Sequence, residues 1–162
     1  MANTNSPIDH RCIIDLDAPP IVAYHWHQVR KEDQLPNAAH GSWPWNPSQL
    51  ELWLSPKQIT HGSESVDIIL AELSSLPVAN AHVLDFLLKN QDLIPEKWKK
   101  DSLGITRYIE FWGTIYREAD GRMSVQSLFW YDGGPEHPHW DVCYSFITGH
   151  SRANNFALLV RQ

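Results

Sequence analysis

Residues 107–147 read RYIEFWGTIYREADGRMSVQSLFWYDGGPEHPHWDVCYSFI, and this stretch decides the fold. It holds three runs rich in aromatic and branched residues, RYIEFWGTIY, MSVQSLFWY and HWDVCYSFI. They are separated by Asp120-Gly121 and by Asp132-Gly133-Gly134. Such pairs supply the tight turns of hairpins, so the spacing predicts a three-stranded antiparallel meander. Side chains alternate along a strand with period two, which assigns faces. In the first run Ile109, Phe111 and Ile115 share one side, and Tyr108, Glu110, Trp112, Thr114 and Tyr116 the other. In the third, Trp140, Val142, Tyr144 and Phe146 oppose Asp141, Cys143 and Ser145.

Working outward, CIIDLD at 12–17 is an apolar run stopped by Ala18-Pro19-Pro20, the pattern of a short strand, and IVAYHWHQV at 21–29 is a second extended segment. Residues 31–48 carry Pro36, Pro44 and Pro47 with Asn37, Gly41 and Asn46, which predicts a long surface loop whose SWPW packs onto the body. LELWL at 50–54 alternates as a half-buried strand, and Ser55-Pro56 has the chemistry of a helix start. In VDIILAELSSL, Val66, Ile69, Leu70, Leu73 and Leu76 recur at helical spacing until Pro77. Asn80 then caps AHVLDFLLKN, with an apolar stripe of Val83, Leu84, Leu87 and Leu88 and an Asp85–Lys89 pair on another face. IPEKWKK reads as a short helical turn anchored by Trp98. The expected whole is one α+β domain over residues 1–162, with a flexible start at 1–10. An antiparallel sheet, including the C-terminal meander, packs against two consecutive helices. Those helices are expected on the more aliphatic face, leaving an aromatic side open.

Composition narrows the function classes. The chain has 162 residues, 43% hydrophobic and 20% charged, and a formal net charge of −6. That length supports a sizeable core without metal or disulfide staples. The acidic balance disfavours nucleic acid as a partner, because phosphate contacts require a basic surface, and KWKK at 97–100 is the lone basic cluster. No apolar run reaches the length of a membrane span, and the first residues lack the pattern of a signal peptide, so the expected location is cytoplasmic. Cys12 and Cys143 form no metal or disulfide motif and read as small hydrophobes. The eight tryptophans are the unusual feature, since such residues fill cores or anchor interfaces.

The blocks WNPSQLELWLSPKQ, PVANAHVLDFLLKNQDLIPEKWK and FWGTIYREADGRMSVQSLFWYDGG, in that order between residues 45 and 135, resemble a family of small bacterial proteins. Its shared blocks are W-[DN]-P-S, N-A-x-V-L-D-x-L-L, L-I-P-E-x-W-K and F-W-G-T-I-Y-R-x-x-D-G. The resemblance implies a common small scaffold and brings no catalytic residues with it. The paired histidines lie outside its pattern.

Three chemistries compete. His25 and His27, and His137 and His139, form two H-x-H pairs, and an H-x-H on a strand aims both rings at one side. His139, Asp141 and Cys143 extend that side, a donor set suited to zinc or another divalent transition metal, which would imply a metal-dependent hydrolase. Glu110 lies mid-strand among aromatics, and Asp132 and Glu136 lie near the histidines; a carboxylate in apolar surroundings gains acid–base character, although a solvent-facing Glu110 is the expected arrangement. Trp112, Tyr116 and Trp130, with Glu110, make an aromatic binding face for a protein or a sugar. No P-loop, nucleophile elbow or zincin motif occurs. The expected function is therefore noncatalytic: an adaptor or inhibitor that engages a protein partner through an acidic, tryptophan-rich surface without a cofactor. A metal-dependent hydrolase is the alternative and a carbohydrate-binding module the third reading.

Overall fold

The computed structural model describes residues 12–22, 27–134 and 137–161. The expected flexible start, His25 and Glu136 thus lie outside the described residues. The meander is present as β5 (Tyr108–Arg117), β6 (Met123–Tyr131) and β7 (His139–Phe146). Before it come β1 (Ile13–Asp15), β2 (Ser42–Pro44), β3 (Leu50–Trp53), α1 (Pro56–His61), β4 (Ser63–Ser65), α2 (Val66–Leu73) and α3 (Ala81–Lys89). After it come β8 (His150–Arg152) and β9 (Asn155–Val160). The fold is α+β, and its largest sheet among the described residues has the order β3-β9-β5-β6-β7. All neighbours are antiparallel except β5 and β9, which are parallel. Two short ribbons, β1-β2 and β4-β8, flank it. Within the segment expected to be irregular, Ser42–Pro44 pairs with Ile13–Asp15, because Trp43 and Ile14 lie opposite each other and both enter the core.

The helix starts follow local chemistry. Ser55 Oγ accepts the Gln58 backbone N–H at 3.1 Å while Gln58 Oε1 accepts that of Ser55 at 2.9 Å, a reciprocal capping box at α1. The other end of Gln58 donates to the Arg152 carbonyl at 2.9 Å and to Ser151 Oγ at 3.2 Å, tying α1 to the β8–β9 turn. Ser55→Ala is expected to cost about 1 kcal/mol, seen as a fall in Tm of about 2–4 °C on thermal denaturation.

The helices take different faces, where one shared face was expected. Val66, Ile69 and Leu73 of α2 pack with Trp112, Ile115, Val125, Ala157 and Leu159. Val83, Leu84 and Leu87 of α3 pack with Ile109, Phe111, Leu128, Leu158 and Val160 on the reverse side. Both sheet faces are apolar because the interior strand β9 is buried on both, alternating Ala157 and Leu159 toward α2 with Leu158 and Val160 toward α3. Such a strand reads as a continuous apolar run.

A bulge in β5 redistributes the aromatics. From Glu110 to Ile115 the strand advances five residues while its partner moves two, from Ser127 to Val125. The odd excess reverses the faces beyond it. Ile115 therefore joins Trp112 in the α2 core, and Tyr116 turns to the α3 side. Residues 78–79 hold the bulge open: Ala79 N–H bonds Leu158 O at 2.8 Å, and Gly113 N–H bonds Ala79 O at 2.9 Å. A Cβ on Gly113 would lie 2.8 Å from Ala79 O, inside contact distance, so this close approach requires glycine. Past the bulge, the Gln34 side chain serves both backbone groups of Ile115, and Gln28 pairs with Arg117.

Candidate functional site

Glu110 is 3% exposed, contrary to the solvent-facing position its strand alternation suggested. Its side of the sheet is the one α2 and the β4-β8 ribbon cover. Trp112 Nε1–H donates to Oε2 at 2.9 Å and Asn155 Nδ2–H to Oε1 at 2.8 Å, and Ser145 contributes a third hydrogen bond. Burial pushes the carboxyl up to about 6; the donors from Asn155, Trp112 and Ser145 oppose that rise without cancelling it. Across the sheet in register stand Ser127 and Cys143. Burial, with the Glu110 and Asp141 charges adding to it, raises the Cys143 thiol to about 11, so it stays neutral and unreactive.

Above Glu110 lies a recess of about 50 Å³ lined by Val66, Trp112, Val125, Ser145, Phe146, His150, Ser151 and Asn155. It adjoins a cleft of about 300 Å³ walled by Tyr108, Ser145, His150, Arg152, Asn154 and Asn155. Farther along the same face the helices no longer cover the sheet. Tyr108 and Phe129 stack there with centroids 5.3 Å apart and planes at 26°. Both are half-buried, Asp141 beside them is exposed, and Tyr131, 37% exposed, meets the His139 ring at 5.5 Å. One polar recess and one open aromatic strip thus share a face.

The residues expected to form the aromatic site do not form it. Trp112 is 2% exposed and Tyr116 wholly buried, so both are core groups. They also point to opposite faces because of the bulge. The Tyr116 hydroxyl bonds Ile21 O and Gln126 Oε1, and burial raises its pKa far above the tyrosine range. Trp130 is half-buried on the α3 side, edge-on to Trp140 and capped by the Lys99 ammonium 3.6 Å from its ring. Of the four, Glu110 and the buried Trp112 line the recess. Tyr108 and Ser145 were placed on their faces by alternation, but Phe129, Ser151 and Asn155 were missed. For Asn155 a signal existed in the apolar run FALLV that follows it.

His27 is not brought to His139. His27 is buried against Tyr116 and Tyr144, ring centroids 5.4 and 4.5 Å away, with Nε2 3.8 Å from Glu118. His139 lies five residues from Tyr144 along β7 and on its other face, a separation of about 16 Å along the strand. Its Nδ1 bonds the His137 carbonyl at 2.9 Å, which turns that nitrogen back on the chain. Among the described residues no three His, Cys, Asp or Glu side chains are grouped to hold a metal ion.

No protein-family model, no curated protein and no solved structure matches this chain. Among the described residues no helix is long and apolar enough to cross a membrane.

Proposed function

We propose that this protein is a noncatalytic binding protein, an adaptor or inhibitor that holds another protein on the open strip of sheet formed by Tyr108, Phe129, Tyr131 and Asp141. The observation that carries the reading is the stacked Tyr108–Phe129 pair, half-exposed on a rigid strand pair beside an exposed carboxylate. Flat aromatics on a fixed backbone lose little entropy on docking, and the exposed Asp141 carboxylate beside them favours a basic group on the partner. The net charge of −6 favours the same complementarity over long range. A reducing, cytoplasmic setting suits the two free cysteines.

The test is a Tyr108→Ala/Phe129→Ala double variant, checked for native circular dichroism and assayed against each protein that the wild type captures. Loss of about 2 kcal/mol in binding, roughly thirtyfold in Kd, is expected. Unchanged affinity for every captured protein, or no captured protein at all, refutes the reading. Saturable binding to a glycan array, lost in the same variant, would replace the protein partner by a carbohydrate.

A further inference from the structure

We propose that the recess above Glu110 is a subsite for one primary ammonium group, presented as a lysine side chain by the protein that docks on the adjoining strip. The inference rests on the docking reading for the source of the lysine, but the subsite itself stands on its own geometry.

Every partner of the Glu110 carboxylate is neutral: an indole, a carboxamide and a hydroxyl. Neither of its hydrogen-bonded oxygens is bonded to a lysine, arginine or histidine, and the nearby base is His150 in the recess wall. A buried carboxylate without a cation is a standing cost to the fold, since desolvation is unfavourable unless an opposite charge offsets it. The missing cation has a place to sit. The recess opens directly on Glu110 and lies beside the wider cleft, with which it shares Ser145, His150 and Asn155.

Size and donor count select the cation. At about 50 Å³ the recess has room for a small group, and a compact ammonium fills less of it than a planar guanidinium. An ammonium carries three donors and no acceptor. Glu110, Ser145, Ser151 and Asn155, each of which carries acceptor oxygens, line the recess. Val66, Val125, Trp112 and Phe146 supply apolar walls for the last methylenes, and aromatic rings tolerate a nearby cation. Arg152 in the adjoining cleft disfavours positive charge on the ligand beyond the one that Glu110 neutralises, which favours one ammonium on an otherwise neutral stem.

The probe is N-acetyl-lysine methylamide, titrated at neutral pH into ¹⁵N-labelled protein beside its arginine and norleucine counterparts. The readouts are the Trp112 indole N–H and the Asn155 side-chain amide, the two groups bonded to Glu110. Saturable shifts with the lysine compound are expected, roughly tenfold weaker with arginine, and none with norleucine. The lysine response should vanish in Glu110→Gln. Absence of a saturable lysine response in the wild type, an equal response to arginine, or persistence in Glu110→Gln overturns the subsite. The wild-type comparison of three compounds holds even if the variant fails to fold. A lysine-selective response in a protein whose captured partners ignore Tyr108→Ala/Phe129→Ala overturns the docked protein as the source and leaves a free amine as ligand. Failure of the subsite and failure of the docking surface are thereby read separately.

Discussion

Trp112→Ala lowers the stability of this protein by about 3–5 kcal/mol, the range for removing a large buried aromatic from a core. The indole is 2% exposed and packs between α2 and the sheet with Ile69, Val125 and Leu159. Its loss opens a cavity and also strips Glu110 of the N–H at 2.9 Å, leaving a buried carboxylate short of a donor. Urea denaturation followed by far-ultraviolet circular dichroism measures the change. Trp130→Ala, on the half-buried ring of the other face, is expected to cost less. A Trp112→Ala protein with wild-type stability and lost partner binding would restore the indole to the contact surface and contradict its place in the core.

Glu110→Gln acts through pH. In the folded protein the carboxyl is raised from 4.5 to about 6, so the native state holds the proton more tightly than the unfolded chain. Below pH 4.5 Glu110 is neutral in both states and costs nothing. As pH rises through about 6 the wild type alone acquires a buried charge, and above that window it bears a penalty of about 2 kcal/mol. Glutamine stays neutral, and the Asn155 amide is free to turn over and present its oxygen. The stability difference between variant and wild type should therefore be small near pH 4 and grow to about 2 kcal/mol in favour of the variant by pH 7. Urea denaturation at a series of pH values measures it. Cys143, raised to about 11, does not titrate in this interval, and a His150→Asn background removes the ionisable group at the recess wall. A difference that does not change with pH would show that Glu110 keeps an ordinary carboxyl affinity for protons. Asp33 runs the opposite way. The Arg117 guanidinium beside it holds its carboxyl below the usual range, so that pair contributes stability at neutral pH that is lost on acidification. Comparing variant with wild type at each pH cancels it.

A stabilising substitution at a buried carboxylate is the expected mark of a functional group, since such groups are kept at a cost to the fold. The same variant that is more stable at pH 7 should be the one that no longer recognises lysine.

Local chemistry was legible in the sequence. The meander followed from two glycine turns between runs of aromatic and branched residues, the α2 and α3 stripes from helical spacing, and the capped helix starts from Ser55-Pro56 and Asn80. Each depends on residues a few positions apart, where turn geometry and periodicity act without help from the rest of the chain. Three features were decided only by the tertiary structure. Strand β9 lies between β3 and β5, and it pairs in parallel with a strand that starts 47 positions earlier, at Tyr108 against Asn155. A five-residue apolar run carries no mark of which partner it will find. The bulge in β5 is set by residues 78–79, whose backbone takes the hydrogen bonds that a regular strand would use, and it reversed every face assignment beyond Trp112. The recess then arises where α2 and β8 cover the sheet above Glu110, with Gln58 of α1 binding the turn that presents Ser151 and Asn155. The sequence by itself determined the meander, the stripes of α2 and α3 and the capped helix starts, but not β2, β4, β8 or β9. Their pairing, their faces and the burial of one unpaired carboxylate came from long-range contacts, because burial depends on what packs above a residue and not on the residues beside it.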